Sequence, residues 1–185
     1  MKVTTSGLAV RIAAPADIPA LERLIAASAR TLSRGYYDEA QIEAAITHVF
    51  GVDSDLVADG TYLVAEWRGE LAGSGGWSRR STLFGGDRFS GRSAGQLDPA
   101  TDAARIRAFF VAGDQARRGV GRALLEACER AAMQAGFRST TLMATLPGEP
   151  FYAAYGYRAQ GMQMQDCGGV TVPFVAMSKP LVAEM

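Results

Sequence analysis

Apolar and polar residues follow two different periods along this chain, and one long stretch follows neither. Leu8 to Ile12 reads as a first strand. Ile18, Leu21, Ile25, Ala29 and Leu32 then recur at helical spacing, with Asp17 placed as an N-cap. Arg34-Gly35-Tyr36-Tyr37 breaks the pattern. Asp38 opens a second helix, with Gln41 at the third position to complete a capping box and Tyr37 and Ile42 placed as a hydrophobic staple. Ile42, Ala45, Ile46, Val49 and Phe50 form its apolar face, Gly51 ends it, and His48 lies off that face. Thr61 to Trp67 and Leu71 to Trp77 read as a hairpin about Arg68-Gly69-Glu70. Gly73, Gly75 and Gly76 weaken the second strand and mark close approach of other groups.

From Ser78 to Ala104 no period survives. The segment is polar and glycine-rich, with Arg79, Arg80, Arg88 and Arg92 set against Asp87, Asp98 and Asp102. Loops of this length are uncommon in compact domains and are usually functional or disordered; a substrate-facing loop is the favoured reading. Order returns at Ile106–Val111, a strand, followed by a turn rich in glycine and arginine and an amphipathic helix up to Ala135. Val120, Ala123, Leu124, Ala127, Cys128, Ala131 and Ala135 make one helix face. Arg122, Glu126, Glu129 and Arg130 make the other, with Glu126 and Arg130 four residues apart, and Gly136 stops the helix. Thr140–Leu146 is a strand, Pro147-Gly148 a turn, and Glu149–Tyr155 a short helix ending at Gly156. Tyr157–Gln165 and Val170–Lys179 close the chain as a strand pair split at Cys167-Gly168-Gly169.

The turn before the central helix is suited to an anion. The first amides of a helix have no partner inside it, and the macrodipole makes that end positive. Gly119 and Gly121 leave the backbone open to close approach, and Arg117, Arg118 and Arg122 add full charges, so a phosphate or pyrophosphate is the expected guest. A Walker loop is excluded, because lysine occurs only at Lys2 and Lys179. A Rossmann fingerprint is excluded by Leu124 where a small third residue is required.

Length and composition narrow the class. The 185 residues suit a single domain, residues 1–185, able to bury about 70% of its unfolded surface. A formal net charge of zero argues against a nucleic-acid partner. Cys128 and Cys167 have no metal-ligand spacing, so no metal is expected. The N-terminus lacks an apolar signal core and no apolar run is long enough to span a bilayer, so a cytoplasmic protein with no membrane partner is expected.

The stretch Arg117-Arg118-Gly119-Val120-Gly121-Arg122 between strand and helix resembles the acetyl-CoA-binding motif of the GCN5-related N-acetyltransferases (GNAT family), often written Gln/Arg-x-x-Gly-x-Gly/Ala. Its first position is here Ala116, with Gln115 one residue earlier. Phe151-Tyr152-Ala153-Ala154-Tyr155-Gly156-Tyr157 resembles the family's Phe-Tyr-x-x-x-Gly-Phe segment, in the expected order and separation. The likeness covers roughly Val10 to Leu181. It implies an α/β (α+β) fold: a mixed, mostly antiparallel sheet of about seven strands in the order βααβββαβαββ, splayed in the middle and flanked by about four helices. It also implies acetyl-CoA as co-substrate, a small-molecule or peptide amine as acceptor, and the homodimer common in the family.

By the same resemblance, Arg117, Arg118, Gly119, Val120, Gly121, Arg122 and Ala123 cradle the pyrophosphate, and Phe109, Phe110 and Val111 offer backbone groups to the pantetheine arm and the thioester carbonyl. Strand faces alternate, so one of Phe109 and Phe110 is expected toward the core and the other toward the ligand. Tyr152 matches the general acid that protonates the leaving thiolate; packing of the short helix is the alternative role, and Tyr155 is the weaker candidate. An alkyl amine of pKa near 10.4 is neutral in about one molecule in 2,500 at pH 7, a cost of ~4.6 kcal/mol. A base is therefore sought, and Glu66 and Asp102 are the carboxylate candidates, beside a water route. Trp77, Arg79 and Arg80 are the candidate acceptor-binding residues, where arginine would favour an acidic or amino-acid-like amine. The expected function is acetyl transfer to a primary amine by direct attack. The alternative is a catalytically silent acyl-CoA-binding sensor; a toxin-type enzyme acting on aminoacyl-tRNA would want a basic surface.

Overall fold

A computed structural model of the chain describes residues 3–5 and 7–181. In chain order its elements are β1 (Val3–Thr5), β2 (Leu8–Ile12), α1 (Ile18–Leu32), α2 (Glu39–His48), α3 (Ser54–Ala58), β3 (Tyr62–Trp67), β4 (Glu70–Ser78) and β5 (Ala104–Val111). There follow α4 (Val120–Gln134), β6 (Ser139–Thr145), α5 (Glu149–Ala154), β7 (Arg158–Cys167) and β8 (Val170–Pro180). The strands form one sheet in the order β1-β2-β3-β4-β5-β6-β8-β7. Every pairing is antiparallel except β5 with β6. The expected mixed sheet is present, with β1 and the short helix α3 added to it.

Alternation along the strands sorts side chains between two layers. Tyr62 and Val64 of β3 and Val172 and Phe174 of β8 join α1, α2 and α3 on one face. Leu142 and Ala144 of β6 and Val175 and Met177 of β8 join α4 and α5 on the other. The glycines of β4 serve this packing. A Cβ at Gly73 would stand 2.8 Å from Val120, one at Gly75 2.3 Å from the ring of Phe109, and one at Gly76 2.9 Å from Leu56.

Local signals held in most places. The α2 capping box forms in both directions: the Gln41 amide donates to Asp38 Oδ1 (2.8 Å) and the Asp38 amide to Gln41 Oε1 (3.1 Å). Gly136, at φ 95°, follows α4 in the left-handed region. Three expectations change. Asp17 stands at the N-cap position of α1 as expected but makes no capping bond to it; its carboxylate accepts from the Ala14 amide (2.7 Å) and from Arg11 (2.7 and 2.9 Å), which closes the turn before the helix. Glu126 pairs with Arg122 (2.7 Å) rather than Arg130. Glu129 is buried, because Lys179 donates to it (2.8 and 2.9 Å) and the Tyr157 hydroxyl adds a third bond (3.0 Å).

The aperiodic segment from Ser78 to Ala104 is anchored rather than loose. Phe84 and Phe89 stack on each other (4.6 Å between centroids) and Phe84 continues onto Phe174 (5.6 Å). Arg88 pairs with Glu22 and donates to the Phe50 carbonyl (3.0 Å). Arg92 reaches Asp53 (3.1 Å) and Asp55.

Tyr37 clamps β8 to the end of β6: its buried hydroxyl donates to the Pro173 carbonyl (2.7 Å) and accepts from the Leu146 amide (2.9 Å). Tyr37→Phe keeps the ring and strands both backbone groups, so it is expected to destabilise the chain by about 1–3 kcal/mol in urea unfolding with an unchanged m-value. A shift below about 0.3 kcal/mol would show that the clamp contributes nothing net.

Candidate active site

The site begins where the sheet fails to close. β5 and β6 pair only at Ala104–Thr140 and Arg105–Thr141. Beyond Arg105 the two strands part, and the edge of β5 from Ile106 to Val111 has no strand partner on that side. A bulge accompanies the split: Ser74 opposes Phe110 and Gly76 opposes Arg107, so Ala108 and Phe109 together face Gly75. Ala108 takes φ 54°, an uncommon conformation for a residue with a Cβ. Buried Tyr62, bonded to Ser74 Oγ (3.0 Å), also reaches the Ala108 carbonyl (3.4 Å) and holds the bulge. Because the gap passes through the sheet, both faces of β5 border it. Phe109 turns toward α5, edge-on to Tyr152 (6.2 Å), and Phe110 toward α2, edge-on to Phe50 (5.3 Å). The two phenylalanines thus diverge as alternation requires, yet both line the opening.

A cavity of about 560 Å³ follows this gap. One end is the start of α4. Arg117 (φ 64°) and Gly119 (φ 82°) are left-handed, and Gly119 is the N-cap, with no side chain bonded to the first-turn amides. Those amides therefore remain available to an anion. Gly121 is small for a second reason: a Cβ there would come within 3.1 Å of Phe151. Arg117, Gly119, Gly121 and Arg122 line this end. Arg118, Val120 and Ala123 do not; Arg118 lies over Trp67 (5.9 Å), and Val120 is buried against β4.

In the middle of the cavity stands Tyr152, buried among Phe109, Phe151 (5.1 Å) and Tyr157 (5.6 Å). Its hydroxyl has no hydrogen-bond partner among the described residues, and burial pushes its pKa well above the usual tyrosine value. Ser28 of α1 donates to the Val111 carbonyl (2.6 Å), tying the end of β5 to the opposite layer. Away from α4 the lining includes Phe50, Phe84-Gly85-Gly86, Arg107 and Phe174. The Phe84–Gly86 part of the long loop thus borders the cavity.

Several sequence candidates lie elsewhere. Glu66 is bound to Arg11 (2.9 Å) in the ion cluster with Asp17, outside the cavity lining. Asp102 is exposed and accepts from the Asp98 amide (2.7 Å). Trp77 is buried against Phe137 (6.2 Å) with Arg79 stacked on it (5.6 Å), and Arg80 is held by Asp59 through two bonds of 2.7 Å. None of the three lines the cavity. His48 is exposed, against the turn at Gly168. Beside Arg117 and Arg122 at the start of α4, the cavity lining includes a third arginine, Arg107. A charged residue within the apolar run of β5 is the sequence signal that points to it, since a buried guanidinium demands partners.

Among the described residues no helix is long and apolar enough to cross a membrane. No curated protein sequence matches the chain. Solved structures do, at identities that establish the fold alone. The structure described as GCN5-related N-acetyltransferase: aminotransferase, class-II, from Rhodopseudomonas palustris aligns with a TM-score of 0.72 at 24% identity, over 97% of this chain and 99% of that one. PaiA N-acetyltransferase from Thermoplasma acidophilum, in complex with coenzyme A, gives 0.60 at 16% identity over 94% and 98%. YncA from Salmonella typhimurium, with its cofactor acetyl-CoA, gives 0.61 at 14% identity over 96% of each. The family model for the acetyltransferase (GNAT) domain matches residues 37–181, and the chain therefore belongs to the GNAT acetyltransferase family.

Proposed function

We propose that the chain is a single-domain, acetyl-CoA-dependent N-acetyltransferase that acetylates a primary amine by direct attack, with Tyr152 as general acid. One observation carries this reading: a single cavity joins the uncapped start of α4, the unpaired edge of β5 and the free hydroxyl of Tyr152. The coenzyme A complexes among the solved relatives are consistent with it.

Bound acetyl-CoA supplies a thioester, whose C–S bond breaks as the amine nitrogen forms its bond to the acetyl carbon. The α4 amides at Gly119 to Arg122, with Arg117 and Arg122, hold the pyrophosphate. The free edge of β5 at Phe109–Val111 offers backbone donors toward the acetyl oxygen; such a donor is worth ~3 kcal/mol as charge develops there. Tyr152 gives its phenolic proton to the departing sulfur. Burial that raises the tyrosine pKa keeps the proton in place until then, and the same apolar surroundings make an unprotonated thiolate costly. Among the described residues no aspartate, glutamate or histidine lines the cavity, so the amine enters neutral and its proton leaves through water. That same lack of a base is the observation favouring the alternative, a silent acyl-CoA sensor.

Calorimetric titration with acetyl-CoA tests the cradle. Micromolar binding is expected, weakened about tenfold or more by Arg117→Ala with Arg122→Ala, while Arg118→Ala changes it little. No binding at millimolar ligand would overturn the reading. Free-thiol release in an amine screen separates enzyme from sensor. Tyr152→Phe is expected to lower kcat about 100-fold with acetyl-CoA affinity retained, and undiminished turnover would remove Tyr152 from the chemistry. Because its pKa lies above the usual 10, the wild type is expected to lose no activity to tyrosine ionisation between about pH 8 and 10. An alkaline loss in that range, absent in Tyr152→Phe, would contradict the assigned protonation state.

A further inference from the structure

The cavity has two aromatic walls, one on each face of β5. On the α5 face Phe109, Phe151 and Tyr152 stand together, with the Phe151 ring close against Gly121 at the start of α4. On the α2 face Phe110, Phe50, Phe174 and Phe84 make successive ring contacts at 5.3, 6.1 and 5.6 Å. Phe50 and Phe174 are buried, whereas Phe84, Phe110 and Met143 are half-buried and present apolar surface to the opening. This second wall offers a ligand no charge. Arg107 belongs to the lining, but its side chain is 1% exposed and paired with Asp53. The other charged side chains of the lining among the described residues, Arg117 and Arg122, stand at the start of α4. Polar groups beside the wall are already engaged: the Gly85 carbonyl accepts from Arg107 (2.7 Å), the Gly86 amide donates to the Val49 carbonyl (2.8 Å), and Ser28 donates to the Val111 carbonyl (2.6 Å).

An arm that runs from the α4 cradle along the edge of β5 occupies the α5 face, so the acceptor meets the acetyl carbon from the α2 face. Resting on the acetyltransferase reading, we infer that the acceptor is a small primary amine on an uncharged apolar body, an arylalkylamine in chemical class, and that Phe84 of the long loop sets this preference. The body of the amine lies against Phe84, Phe110 and Met143. A second ammonium group would meet no carboxylate there, a carboxylate would meet no open donor, and a peptide would bury amides without partners. The apolar surroundings also favour the neutral amine over the ammonium, and the neutral amine is the form that attacks.

The test compares three acceptors with acetyl-CoA, followed by free-thiol release: 2-phenylethylamine, L-phenylalanine and 1,4-diaminobutane. L-Phenylalanine is the stringent control, because an α-amine is less basic and more of it is neutral at a given pH, so protonation alone would favour it. The expected result is a kcat/KM for 2-phenylethylamine at least ~30-fold above both others, a margin that an unpaired charge in an apolar site readily supplies. In Phe84→Ala the kcat/KM ratio of 2-phenylethylamine to ethylamine is expected to fall about tenfold, chiefly through KM, and Phe84→Leu is expected to restore most of it. A residue that only anchored the long loop would lower both rates together and leave the ratio unmoved, which would overturn the inference. So would a wall that holds the acyl chain: Phe84→Ala would then change the preference between acetyl-CoA and octanoyl-CoA without moving the amine ratio. Equal or better use of L-phenylalanine or 1,4-diaminobutane by the wild type overturns it without any variant, as does acetylation of none of the three by protein that binds acetyl-CoA. Failure to bind acetyl-CoA would instead remove the acetyltransferase reading and this inference with it.

Discussion

The parting of β5 from β6 is the constraint on which the remaining architecture turns. Backbone donors and acceptors cannot be left unpaired inside a protein without cost, and a parallel neighbour would normally meet those of β5. Here pairing stops at Arg105, and the bulge at Ala108 lets two successive residues face one glycine. That geometry is expensive, and three contacts hold it: Tyr62 on the Ala108 carbonyl, Ser28 on the Val111 carbonyl, and the Phe109 ring seated over Gly75. The strain is local, and the opening it produces reaches from one layer of the protein to the other. Unpaired strand edge and uncapped helix end then become neighbours in a single cavity.

Much of this was legible in the sequence, because local signals are strong where short-range chemistry decides. Asp38 and Gln41 wrote the start of α2 without help from the rest of the chain. Gly73, Gly75 and Gly76 announced crowding, though not that Val120, Phe109 and Leu56 would be the crowding groups. The glycine-arginine turn and the Phe151–Tyr157 segment pointed to two parts of the cavity wall. The resemblance they carry supplied the fold, which periodicity alone would not have assembled.

What stayed hidden depended on partners distant in sequence. Glu129 reads as a polar-face residue until Lys179, fifty residues on, is seen to cover it. Phe84 and Phe89 sit in a segment whose polar composition concealed two core side chains. The arginines of that segment look like a solvated surface, yet Arg88 and Arg92 fasten it to Glu22 and Asp53. Trp77, Arg79 and Arg80 stand at a strand end where an acceptor site is expected, but tertiary packing engages Trp77 with Phe137 and Arg79, and Arg80 with Asp59. Glu66 illustrates the same limit: alternation fixes which side of a strand a residue occupies, and not whether an arginine already waits there.

The burial of Asp53 between Arg92 and Arg107 bears on how this sequence can drift over generations. A lone carboxylate or guanidinium in that position costs several kcal/mol, so neither residue can be exchanged by a single step without passing through a poorly folded ancestor. Change at this end of the cavity would therefore be inherited in linked pairs. Lineages that escape the linkage would do so first at Arg92, the more exposed member, and the residues nearest the cavity would be the last part of the cluster to diverge.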